Sequence, residues 1–119
     1  MEESGKTKQY NLESRTLKFA QDIRVYIFGL PKTLTNIEYA KQLTRSSGSV
    51  GANYIEANES LGKKDFVMRI KISRKEAKES KYWLELTQPN SGKQIDKDNL
   101  IKESIELTKI FGSIVEKMK

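Results

Sequence analysis

The chain has 119 residues, 36% hydrophobic and 32% charged, with a net charge of +6; this suits one domain of thin elements with one buried stripe each, which favours helices. With neither cysteine nor histidine there is no disulfide framework, the usual zinc, haem and iron–sulfur ligand sets cannot be assembled, and the common general base near neutral pH is missing. No apolar run approaches the 18 or so residues of a membrane span, and residues 1–10 lack a signal peptide's apolar segment, so the expectation is a cytoplasmic protein without metal, cofactor or membrane contact.

Residues 1–10 are polar and without apolar periodicity, which predicts a flexible leader ahead of a domain over 11–119. From Asn11, a candidate N-cap, Leu12, Thr16, Phe19, Ala20, Ile23, Tyr26, Ile27 and Leu30 recur at helical spacing. This first helix should stop at Gly29-Leu30-Pro31, with glycine taking a left-handed cap and proline lacking the amide hydrogen to continue. Thr35 or Asn36 can cap a second helix with Ile37, Ala40, Leu43, Ser47, Val50, Gly51, Tyr54 and Leu61 inward. Gly48 and Gly51 each cost about 1 kcal/mol against alanine, which leaves a loop at 46–51 as the alternative. Unbroken periodicity favours helix, with small residues admitting a neighbouring backbone.

A third helix over 63–87, roughly 37 Å long and the longest expected element, turns Phe66, Ile70, Ser73, Ala77, Ser80 and Leu84 inward. Gln88-Pro89-Asn90-Ser91-Gly92 is turn chemistry. Asp96, Asp98 or Asn99 can cap a fourth helix with Leu100, Ser104, Leu107, Phe111, Ile114, Val115 and Met118 inward, and Lys117 and Lys119 suit its negative end. Four helices with short connections read as an all-α, antiparallel up-down four-helix bundle.

Charge is concentrated on the third helix, where residues 63–81 carry eight basic side chains against three acids. At 100° per residue from Phe66, Lys63, Lys64, Lys71, Arg74, Lys75, Lys78 and Lys81 fall between about 60° and 180°. Such a flank is either an ordinary solvated face or a phosphate-binding one, since each lysine that neutralises a phosphate releases counterions. Lysine outnumbers arginine, so contact should follow backbone and shape more than base identity. Met68, Ile72 and Trp83 lie off the stripe at about 200–260°. With Val25 and Phe28 on the first helix, they suggest a subunit contact, unless a wider stripe packs them within one chain.

Asn53, Glu56 and Glu76, close to the seam of helices two and three, are read as structural groups that fix register through hydrogen bonds. A di-metal carboxylate site is set aside because its Glu-x-x-His pairs need histidine. Gly48-Ser-Val-Gly51 lacks the Lys-Ser/Thr of a phosphate loop and a preceding strand, so a nucleotide site is also set aside.

The segments Arg45 to Asn53 (Arg-Ser-Ser-x-Ser-Val-x-x-Asn), Glu56-Ala57, Lys64 to Phe66 (Lys-Asp-Phe), Lys75 to Ala77 (Lys-Glu-Ala) and Tyr82 to Leu84 (Tyr-Trp-Leu) resemble the four-helix bundle family of 23S rRNA intervening-sequence proteins. The resemblance covers about residues 15–118, loosely at Leu30-Pro31 and in the fourth helix. It implies an antiparallel bundle with a continuous second helix, and no enzymatic activity. A related branch, the accessory variability protein of diversity-generating retroelements, is similar in fold and forms a basic pentameric barrel that binds reverse transcriptase and nucleic acid. The leading expectation is therefore a non-enzymatic homo-oligomer, a pentamer by that likeness, that binds RNA or DNA through the third helix. The alternative is a protein adaptor, for example an accessory subunit of a reverse transcriptase, whose basic face meets an acidic partner.

Overall fold

In the computed structural model, which describes residues 11–119, four α-helices succeed one another without a strand among the described residues: α1 (Leu12–Phe28), α2 (Leu34–Asn58), α3 (Lys63–Leu86) and α4 (Gln94–Lys117), with a short 3-10 turn at Ser91–Lys93 before α4. The expected leader at 1–10 lies outside the described residues. Both α1 and α3 pack on α2 and α4 but not on each other. That places α1 diagonal to α3 in the antiparallel up-down bundle expected from the periodicity. None of these helices is long and apolar enough to cross a membrane.

The apolar spacing translates directly into burial. Phe19 and Ile23 from α1, Leu43 and Val50 from α2, Ile70 and Leu84 from α3, and Leu107 and Phe111 from α4 are sealed in one core. Full burial of each such side chain is worth about 1.5–3 kcal/mol over leaving it in water. Helix α2 runs unbroken through Ser46–Gly51, and the structure shows what its glycine is for. A Cβ on Gly51 would stand 2.8 Å from Thr16 Oγ1 and 3.2 Å from Thr16 Cβ, so α1 and α2 touch where only hydrogen fits. Gly48 faces open space.

Several expected boundaries shift, each for a local reason. Asn11 precedes α1 but its side chain makes no cap bond; only its carbonyl accepts, from the Arg15 amide. Thr33, rather than Thr35 or Asn36, caps α2: its hydroxyl accepts from the Asn36 amide at 3.2 Å. Asn36 then takes the inward position of the first turn, which leaves Ile37 exposed, and Leu61 is exposed because α2 has ended before it. Gly29 stays right-handed, with φ −90°, since Leu30 and the amide of Gly29 close the end with ordinary turn bonds to Ile27 and Tyr26. Helix α4 begins at Gln94, ahead of Asp96, Asp98 and Asn99; Asp96 instead falls in its first turn, where the dipole favours a negative charge. With 25 residues against 24, α2 rather than α3 is the longest helix.

One end of the bundle is closed by buried polar groups. Asn36 Nδ2 donates to the carbonyls of Pro31 and Gln88 at 2.9 and 3.0 Å, and its Oδ1 accepts from the Gln88 amide at 2.9 Å. One side chain thereby satisfies backbone groups of two loops that the fold brings together. Beside it, the hydroxyls of Tyr26 and Thr87 are hydrogen-bonded at 2.8 Å, and Lys97 donates to the Glu85 and Thr87 carbonyls left open at the end of α3.

Candidate nucleic-acid interface

Which lysines of α3 face water depends on how the helix is rolled about its axis, and the seam with α2 fixes that roll. Ser73 Oγ donates to the Val50 carbonyl at 2.9 Å, and the Ser46 and Ser80 hydroxyls meet at 2.9 Å, both pairs buried. Arg69 donates to Asn53 Oδ1 at 3.1 Å, while Asn53 Nδ2 is held by the Ser49 carbonyl, so Asn53 links the two helices. Arg45 lies 3.4 Å from the buried Glu76 carboxylate and donates to Glu79 at 2.9 Å. Glu76 Oε1 has no hydrogen bond, so ion pairing, with Arg45 and at 3.9 Å with Lys75, is what offsets its burial. Glu56 departs from expectation: it is exposed and contributes only its carbonyl, which accepts from Ser60.

With the seam set, Lys63, Lys64, Lys71, Lys75 and Lys78 stand exposed, while Arg74 and Lys81 are half-buried. Arg74 leans against α4, its Cδ in contact range of a Cβ placed on Gly112. Two of the seven cations have an acidic neighbour: Lys81 pairs with Glu85 at 3.4 Å, and Lys75 reaches Glu76 at 3.9 Å. Among the described residues no carboxylate lies within 4 Å of Lys63, Lys64, Lys71, Arg74 or Lys78. Of the remaining acids of this stretch, Glu79 is held by Arg45 of α2, while Asp65 is exposed in the first turn of α3 and makes no ion pair among the described residues. Lys64, Lys71 and Lys78 recur every seven residues, about 10 Å apart along the axis, and form one uncompensated row.

Tyr82, named from the sequence only as part of the Tyr-Trp-Leu motif and given no place in the interface, belongs to this row. It is 57% exposed, and its ring meets the Trp83 ring edge to face at 5.0 Å. The signal was available, since Tyr82 falls at about 160° from Phe66, the same bearing as Lys64. Met68, also exposed, lies beside the row.

Of the five off-stripe apolar residues, four fall into two sets and the fifth, Trp83, packs on the core. Val25 and Phe28 are 66% and 74% exposed on the outer face of α1. Met68 and Ile72 are exposed and half-buried on α3, which is diagonal to α1, so the two sets lie on different sides of the bundle. Trp83 is half-buried: it packs against the core and lies 6.1 Å from Tyr39 of α2, ring centre to ring centre, with its Nε1 buried and without an acceptor.

Perturbed titration elsewhere has structural causes. Burial pushes the Tyr26 phenol up. A two-bond grip on Glu103, at 2.7 and 2.9 Å, raises Arg15 and ties α1 to α4. Among the described residues no group of three or more carboxylates is placed to hold a metal ion.

Against known proteins, the family described as 23S rRNA-intervening sequence protein matches residues 8–113. Among solved structures, a protein of unknown function from the S23 ribosomal protein family of Bacteroides thetaiotaomicron is 29% identical, with a TM-score of 0.73 over 87% of this chain and 96% of that one. No curated protein sequence matches. The segments that carry the motif Arg45 to Asn53 and the turns of α3 facing it are the ones that build the α2–α3 seam, and the match spans nearly the whole bundle: the chain belongs to the 23S rRNA-intervening sequence protein family.

Proposed function

We propose that this protein is a non-enzymatic, homo-oligomeric bundle that binds nucleic acid through phosphate contacts along the outer face of α3. The observation that carries the reading is the row Lys64, Lys71 and Lys78, exposed and without a carboxylate within reach among the described residues. A merely solvated helix face intersperses its charges, as the exposed ion pairs Lys18–Asp22 and Lys41–Glu38 do on α1 and α2. Uncompensated lysines in register are what a polyanion neutralises with release of counterions.

The off-stripe residues support self-association. Two apolar sets on different sides of one chain cannot cover each other within it, whereas Val25 and Phe28 of one copy can meet Met68 and Ile72 of the next. Such a head-to-tail contact closes into a ring when the rotation allows. On the likeness to the accessory variability protein the ring has five copies, with a total charge of about +30 from +6 per chain.

The test is a titration of labelled RNA and DNA at several salt concentrations. With Lys63, Lys64, Lys71, Arg74 and Lys78 engaged, log K against log salt should fall with a slope of about −4.5 on duplex DNA. The triple variant K71E/K75E/K78E should lose most of the affinity and keep its helicity. Affinity indifferent to salt and to the triple variant would overturn the reading. A partner protein retained after nuclease treatment, with no affinity of the purified chain for RNA or DNA, would put the adaptor in its place. Light scattering on F28D, altered at an exposed position, should report smaller particles than the parent.

A further inference from the structure

Resting on the nucleic-acid reading above, we infer that the α3 face is a platform for single-stranded nucleic acid, with Tyr82 as the surface on which an unpaired base stacks. Tyr82 lies one helical turn beyond Lys78 and two beyond Lys75, about 6 and 10 Å along the axis, on the bearing of the lysine row. More than half of it is open to solvent, while the Trp83 ring meets it at 5.0 Å and an interplanar angle of 73°. Trp83 is itself held by the core and by Tyr39. The exposed ring is therefore braced from below, so a base that stacks on it orders little that is not already ordered. An exposed aromatic at the end of a row of unpaired lysines is the combination that single strands recognise, backbone on the cations and base on the ring. A duplex cannot use it, because its base faces are already stacked within the helix.

This has a consequence that charge alone contradicts. A purely electrostatic row binds duplex at least as tightly as single strand, since the duplex has the denser phosphate charge. A row ending in a stacking surface reverses that order.

The experiment compares a fluorescein-labelled 20-nucleotide oligo(dT) with the 20-base-pair dA·dT duplex, by anisotropy at one fixed salt concentration, for the parent chain, Y82A, Y82F and K71E/K78E. The parent should prefer the single strand. Y82A should lose about tenfold on the single strand and less than twofold on the duplex, while Y82F keeps the single-strand affinity. K71E/K78E should weaken both. Trp83, the single tryptophan of the chain, gives a second readout, because a base on Tyr82 should quench its emission with oligo(dT) and not with the duplex. Equal or tighter binding of the duplex, or a Y82A variant that matches the parent on oligo(dT), overturns the stacking platform while lysine dependence leaves the phosphate reading standing. No binding of either form removes both.

Discussion

The same substitution placed at two glycines one turn apart should move stability in opposite directions. Glycine inside a helix costs about 1 kcal/mol against alanine, and both Gly48 and Gly51 lie within α2. At Gly48 nothing stands within 4 Å of a new Cβ, so G48A should stabilise by about 1 kcal/mol. At Gly51 the new Cβ would meet Thr16 Oγ1 at 2.8 Å and Thr16 Cβ at 3.2 Å. Threonine is stiff at χ1 in a helix, and its Oγ1 is also engaged with the Glu13 carbonyl at 3.0 Å. The strain therefore passes to the separation of α1 and α2. Overpacking of this kind costs about 1–3 kcal/mol, which exceeds the gain in helix propensity, so G51A should come out about 1 kcal/mol less stable than the parent. Urea denaturation at one fixed protein concentration measures both, and in thermal melts 1 kcal/mol corresponds to about 4 °C for a domain of this size. The double variant T16A/G51A removes the 2.8 Å contact and should recover part of the loss, a coupling of about 0.5 kcal/mol or more. A G51A protein as stable as G48A would show that α1 is not pressed against α2 at this point.

Replacement N36A strips one amide from two backbone carbonyls and one backbone amide, and should cost about 2–3 kcal/mol in urea denaturation; a change below 1 kcal/mol would mean water takes over those bonds. Removal of Arg45 leaves the buried Glu76 carboxylate only the longer 3.9 Å contact with exposed Lys75, so R45A should cost about 2 kcal/mol, less than for a fully buried pair because the guanidinium is half exposed. The double variant R45A/E76Q should regain stability, and an additive cycle would refute the pairing. For pH, burial holds the Tyr26 phenol above its ordinary value of 10.0. The folded state keeps a proton that the unfolded chain releases, so the contribution is whole below about pH 10 and falls away as pH rises through the raised folded value. Thermal melts from about pH 8 to 11 should show Y26F weaker than the parent at neutral pH, for want of the Thr87 bond, and flatter above pH 10.

The stripes of α1, α3 and α4 were legible because three- and four-residue spacing of apolar groups has one cheap solution, a helix with that side buried. The boundaries were not, because a cap depends on which hydroxyl the connecting loop swings over the first turn. Thr33 wins over Thr35 and Asn36 only once Asn36 is needed to bind Gln88 across the bundle, a partner 52 positions away in sequence. The same distance hid the role of Gly51, which local propensity scores as a defect and which packing against Thr16 turns into a contact. Glu56 and Glu76 show the limit on the polar side. Both are carboxylates near the seam in sequence, yet only Glu76 is buried, where Arg45 meets it at 3.4 Å, while Glu56 stays exposed.

For the face of α3, the helical angle placed the lysines but could not say which were neutralised, since that depends on acids supplied by the fold. Glu79, one turn beyond Lys75 on the same helix, could have compensated the row; instead Arg45 of α2 holds its carboxylate at 2.9 Å. The motif that carries the family resemblance therefore acts on the lysines without touching a ligand. Arg45 draws off the acids, Ser46 meets Ser80, and Asn53 with Arg69 closes the register, and together they set the roll of α3. A consequence is that R45A should blunt nucleic-acid binding as well as stability, since it frees Glu79 to turn toward Lys75 one turn back on α3. The stability part should be recovered in R45A/E76Q and the binding part should not, so the two variants separate what the arginine does for the fold from what it does for the surface.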